Sequence, residues 1–165
     1  MKRIKGLIAL GMVFTLLITA WATVRGVKAS QFERNCGEYI RRATVAADIQ
    51  TAKVELAKAL NYAEKEKLTK GTVKLFRQDP RNDLGFWYNT LSSSYQELDK
   101  VSNGSWMEQS ASLMKMRGSL QEMVIPTGIT IYPYNMFYFV WVMVALFGAT
   151  ICYLLAYAYL KGKHK

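Results

Sequence analysis

Two cysteines, one histidine and four clustered carboxylates are the side chains in this 165-residue chain whose chemistry could reach beyond packing. His164 stands between Lys163 and Lys165, so a zinc site or a histidine-based triad has almost nothing to draw on, and the residue reads as part of a solvated tail. Glu64, Glu66, Asp79 and Asp83 could supply carboxylate pairs. Acids at helix ends and beside lysines, however, usually serve as caps and solvated partners. No G-x-x-x-x-G-K-S/T, G-x-S-x-G or H-E-x-x-H run occurs. The expectation is therefore no catalytic residue, no metal, no cofactor and no enzyme. Cys36 falls on an apolar stripe, where a reduced, buried thiol is the preferred reading; an interchain disulfide at Cys36 is the second. Cys152 lies within a long apolar run, so a bridge between the two cysteines would draw Cys36 into a bilayer and is disfavoured. For binding, the densest cue is Leu84-Gly85-Phe86-Trp87-Tyr88. Successive helical residues point about 100° apart, so one helix cannot aim all three rings at one seam. Phe86 and Trp87 must then pack beneath the loop Lys74 to Arg81, the favoured reading, or stand partly exposed as a docking site for a partner.

The elements that must position these residues begin with two apolar runs. Residues 6–24 carry no charge and would span about 28 Å as a helix, close to the hydrocarbon thickness of a bilayer. Residues 134–160 also lack charge and would reach about 40 Å, enough for the core, the interfaces and some tilt. Aromatic residues gather at both ends of the second run: Tyr132, Tyr134, Phe137, Tyr138, Phe139 and Trp141 at one, Tyr153, Tyr157 and Tyr159 at the other. Neither run holds an ionisable acid, Lys, Arg or His, which argues against an ion pathway within one copy. Gly11, Thr15 and Thr19 recur four apart, as do Gly148, Cys152 and Ala156, and such rows permit close helix approach.

Ala20-Trp21-Ala22 has the small residues at alternate positions that a signal peptidase favours, behind a basic start of Lys2, Arg3 and Lys5. The preceding run is longer than a usual signal core, so a retained anchor is the preferred reading. Lys2, Arg3, Lys5, Lys161, Lys163 and Lys165 flank the two runs on their outer sides, against Arg25, Lys28 and Arg34 on the inner. That bias puts both termini in the cytoplasm. The net charge of +10 is thus partly terminal. The middle segment shows no basic stripe interleaved with stacking aromatics, and nucleic acid is not an expected partner.

The middle reads as helical throughout. Phe32, Cys36, Tyr39, Ala43 and Ala46 share one face, and Asp48 and Thr51 offer a break or a fresh cap. Leu56, Leu60 and Ala63 form the next stripe, ending before the polar stretch Thr69 to Gly71. Asp79-Pro80 or Asn82-Asp83 can cap a third helix carrying Leu84, Tyr88, Leu91, Tyr95 and Leu98. Ser105 and Glu108 form an S-x-x-E capping box before a fourth, with Leu113, Met116, Leu120 and Met123. The predicted organisation is a cytoplasmic tail (1–5), transmembrane helix (6–24), extracytoplasmic bundle of about four helices (25–123), extended linker (124–133), transmembrane helix (134–160) and cytoplasmic tail (161–165).

The runs LTKGTV and DLGFWYNTLSSSYQEL, with IYPYN before the second apolar run, resemble a group of two-span membrane proteins of bacteria and bacteriophages that carry a helical domain between the spans. The resemblance implies a bacterial or phage setting with a helical segment between the spans, and it implies no activity. Together with the charge bias, the expected location is the bacterial inner membrane, with the central domain periplasmic or extracellular. The expected partners are the lipid bilayer and either another protein or further copies of this chain. The expected function is a structural or interaction protein of an envelope assembly. The alternatives are a sensory input subunit signalling through partner spans and a phage-type membrane effector of the holin or exclusion kind.

Overall fold

The computed structural model describes residues 2–73, 82–126 and 135–162. The Asp79-Pro80 cap, the loop from Lys74 to Arg81, most of the 124–133 linker and His164 lie outside the described residues. The described chain is helical, without a strand, and it divides into two compact units. One comprises Met1–Val27 with Tyr134–Lys165, the other Lys28–Pro133.

Helix α1 (Lys2–Phe32), as far as Val27, and helix α6 (Asn135–Gly162) supply the first unit. Both are long and apolar enough to cross a membrane. They run antiparallel: Gly11 meets the ring of Tyr153, and three residues on, Phe14 meets Gly148. The face α6 turns inward is a row of small residues, Ala145, Ala149, Cys152 and Ala156, all buried.

The second unit begins at Lys28, in the last turns of α1, and continues through a π-helical turn, Glu33–Gly37, then α2 (Glu38–Val45), α3 (Ile49–Lys65), α4 (Leu84–Lys100) and α5 (Trp106–Glu122). Each of α2 to α5 packs on the next and α5 returns to α2, closing a ring of four around one core. Cys36, Ala43, Ala52, Leu56, Ala59, Leu84, Leu91 and Leu98 are its most deeply buried members.

Local chemistry sets the helix boundaries. Ala46 leaves the helix at ψ 137, and Asp48 then caps α3 by accepting from the Thr51 N–H at 2.8 Å. The backbone bond lowers the Asp48 pKa. At the far end of α3 the Leu68 N–H donates to the Ala63 carbonyl at 2.7 Å and the Lys67 N–H to Glu64 at 3.0 Å, with Lys67 left-handed at φ 58. This is the Schellman stop, and Leu68 is buried as its hydrophobic contact. Asp83 caps α4 through the N–H groups of Gly85 and Phe86. The capping box at α5 is present: Ser105 Oγ accepts from the Glu108 N–H, and the Glu108 carboxylate accepts from the Ser105 N–H at 2.8 Å. Asp99 and Glu97 of α4 tie that helix to α3 through Lys53 and to α5 through Lys115, both at 2.6 Å.

Candidate functional site

Cys36 lies inside the π turn. There the Glu38 N–H donates to the carbonyl of Glu33, five residues back, so the helix takes more residues per turn than an α-helix does. The wider turn keeps Phe32, Cys36, Ile40 and Ala43 on one buried face, with Ile40 where the sequence stripe has Tyr39. Cys36 has no exposed surface, and its Sγ donates to the Ala59 carbonyl at 3.7 Å. Burial, with the charge of Glu33 adding to it, pushes the thiol pKa up to about 12. An interchain disulfide at Cys36 therefore does not fit this fold, because the sulfur would have to leave the core and ionise first.

Phe86 and Trp87 are separated by the turn of their helix. The buried face of α4 is Leu84, Trp87, Leu91, Ser94 and Leu98, so Trp87 takes the seam position that the sequence stripe assigns to Tyr88. Trp87 is 1% exposed, whereas Phe86 is 68% exposed. Trp87 packs against Phe32 at 6.2 Å between ring centroids, and Phe32 in turn meets Tyr62 edge-on at 6.1 Å. Its packing partner is thus the end of α1 as well as the core of the ring. Burial removes Trp87 from the residues a partner could reach and leaves Phe86 as the accessible member of the pair. Tyr88 sits at the rim, where its hydroxyl donates to Glu64 Oε1 at 2.6 Å; that bond and partial burial raise its pKa above the ordinary tyrosine value.

The small residues of the first unit meet large ones. Tyr153 stacks over Gly11, and a Cβ built there would lie 3.0 Å from the ring; one built on Gly148 would lie 2.7 Å from Phe14. Glycine on each helix thus receives an aromatic ring from the other. Thr15 lies 3.1 Å from the Tyr153 hydroxyl and donates to the Gly11 carbonyl. The Thr19 hydroxyl donates to the carbonyl of Thr15 and the residue is exposed, while Cys152 and Ala156 are buried in the inward row of α6.

A further surface is absent from the sequence reading of α5. Leu113, Met116 and Leu120 enter the core as expected, yet the opposite side of the same helix is also apolar. Met107 is 75% and Met114 71% exposed, and Ala111 and Gly118 lie in the same row. The spacing of 107, 111, 114 and 118 repeats four, three, four without a charge, a signal readable from the sequence once the helix is known to carry two faces. Among the described residues no group of three or more His, Cys, Asp or Glu is placed to hold a metal.

No family model, curated protein or solved structure matches the chain. Fold and surfaces together define a class only: an all-helical chain with two helices suited to crossing a membrane and a separate four-helix unit with an outward apolar face.

Proposed function

We propose that this protein is a membrane-anchored interaction module. α1 and α6 cross the bilayer, both termini face the cytoplasm, and the unit from Lys28 to Pro133 is presented on the other side as a subunit of a larger assembly. One observation carries the docking role: α5 is apolar on two opposite sides and the core covers only one of them, leaving Met107 and Met114 in solvent. Soluble surfaces rarely keep such residues contiguous unless they are covered in use. The retained anchor has structural support as well. Removal of the chain before Thr23 would strip Gly11, Phe14 and Thr15 from α6 and leave Tyr153 and Gly148 without their partners.

The test is co-purification in mild detergent from the native membrane with Met107 and Met114 both changed to Glu. The double variant should keep its helical content and thermal transition and lose the bound partner or second copy. Retention of the same partners at the same yield would remove α5 as the docking face.

A further inference from the structure

The outer row of α5 has a pattern of size as well as of polarity. Met107, Ala111, Met114 and Gly118 fall within about 60° of one another around the helix, and all four are exposed. Large and small residues alternate along it. Gly118 is the member that its own chain does not ask for. It lies inside the helix, where glycine loses more chain entropy than alanine, yet a Cβ built on it meets nothing within 4 Å among the described residues. The space over Gly118 is thus a shallow socket at the surface.

The row is complementary to itself. Consider a second copy turned end for end about a two-fold axis that lies between the copies, level with the peptide joining Ser112 to Leu113. Its Gly118 then stands opposite Met107 and its Ala111 opposite Met114, and the same two contacts recur with the copies exchanged. Every methionine meets a small residue. An in-register parallel pair instead sets methionine on methionine and glycine on glycine, crowding one layer and leaving a gap in another. Charge follows the same operation. Glu108 and Lys115 stand seven positions apart along one edge of the row, and the two-fold turn places Glu108 of each copy beside Lys115 of the other. Both can take a further partner: the capping bonds of Glu108 use Oε2, and the Lys115 side chain, 67% exposed, has more donors than its bond to Glu97 uses. Along the other edge Ser110 comes beside Arg117, so no like charges meet. We infer that the outer row of α5 is a homodimer interface, in which α5 pairs antiparallel with α5 of a second copy and each methionine seats over Gly118 or Ala111 of the other. This rests on the reading of α5 as the docking face and names its occupant.

Two differently tagged full-length chains, one carrying Met107→Cys and the other Gly118→Cys, are co-expressed, oxidised in the membrane before detergent is added, and mapped by mass spectrometry. The disulfide joining position 107 of one copy to position 118 of the other should exceed those joining like positions by about tenfold, because like positions lie about 16 Å apart along the antiparallel pair. Gly118→Leu enters space that is open in a single copy, so the thermal transition should stay in place or rise. By filling the socket it should nonetheless cut severalfold the disulfide between Ala111→Cys in one copy and Met114→Cys in the other. An undiminished disulfide in that background overturns the proposal. Predominant disulfides between like positions overturn the antiparallel pairing. If no disulfide joins the copies while the Met107→Glu, Met114→Glu variant still loses a different protein, the second copy is overturned as occupant and the docking face stands. If no disulfide forms and that variant keeps all its partners, both readings fall.

Discussion

At φ 58, Lys67 holds a conformation that side chains with a Cβ adopt at a cost. Substitution by glycine at this position should raise stability by about 0.5–1 kcal/mol, measured as a shift in the thermal or denaturant midpoint in detergent. A loss would show that the lysine side chain contributes to holding the turn. The aromatic pair provides a sharper contrast. Trp87→Ala empties a site that is 1% exposed and should cost about 3–5 kcal/mol, while Phe86→Ala, at 68% exposure, should stay within about 0.5 kcal/mol. Equal costs would contradict the burial assignment. Sequence reasoning could see that the three rings cannot share one seam, but not which of them takes it. Leu84, Leu91 and Leu98 are seven apart and fit Trp87 and Ser94 between them as well as Tyr88 and Tyr95. The choice was made by Phe32, which packs on Trp87 from far away in the chain. Cys36 should resist alkylation at neutral pH until the chain unfolds. Its folded pKa, pushed up to about 12 from 9.0, makes it a source of stability that is fully present below pH 9 and lost as pH rises toward 12. The Cys36→Ala variant should flatten that alkaline decline, as read from unfolding midpoints across the range.

Among the elements, the helices whose ends are written in local chemistry were legible. The Asp48 cap, the S-x-x-E box of Ser105 and Glu108, and the apolar stripes of α3 and α5 appear where the residues place them. Ser105→Ala should lower stability by about 1 kcal/mol. Acid should act on the same caps. Backbone hydrogen bonds hold Asp48 and Glu108 below the ordinary carboxylate pKa, so their contribution is present above the unfolded values and is lost as pH falls through the folded ones. Far-ultraviolet circular dichroism against pH, with Glu108→Gln beside the native chain, reads this directly: the variant should lack part of the acid transition. What the sequence did not disclose is where an element departs from its ideal period. At the π turn Ile40 takes the buried place after Cys36 while Tyr39 packs half-buried at the edge of the core, and a four-three repeat read from Cys36 fits either residue. The outer row of α5 was hidden by its inner one, since a stripe that satisfies the core stops the search. In the first unit the rows of small residues were visible, but their use was not. Rings fill the spaces over Gly11 and Gly148, and small residues alone do not say which large ones will reach them.

For the whole molecule, two separate lines bear on orientation. The charge bias at the outer ends of the two apolar runs is the basis for proposing both termini in the cytoplasm. Independently of charge, the antiparallel pairing that sets Gly11 by Tyr153 and Phe14 by Gly148 forms a helical hairpin, and a hairpin that crosses a bilayer returns its ends to one side. The pairing should be held chiefly by packing. Tyr153→Phe removes only the hydroxyl near Thr15, a contact of a kind that averages about 0.6 kcal/mol within membranes, and should leave the topology unchanged. Gly148→Leu forces a branched side chain into the space that Phe14 occupies and should part the helices without adding a charge. A reporter active only in the cytoplasm, fused after Lys165, should therefore be active in the native chain, and one active only outside should work when inserted between Asn103 and Gly104. If charge alone orients the chain, Gly148→Leu preserves both signals. If the hairpin is also needed for α6 to insert, the variant keeps the signal at Asn103 and loses uniform orientation after Lys165. The reverse assignment in the native chain, outside at Lys165 and inside at Asn103, would overturn the charge bias and the proposed presentation of the four-helix unit together.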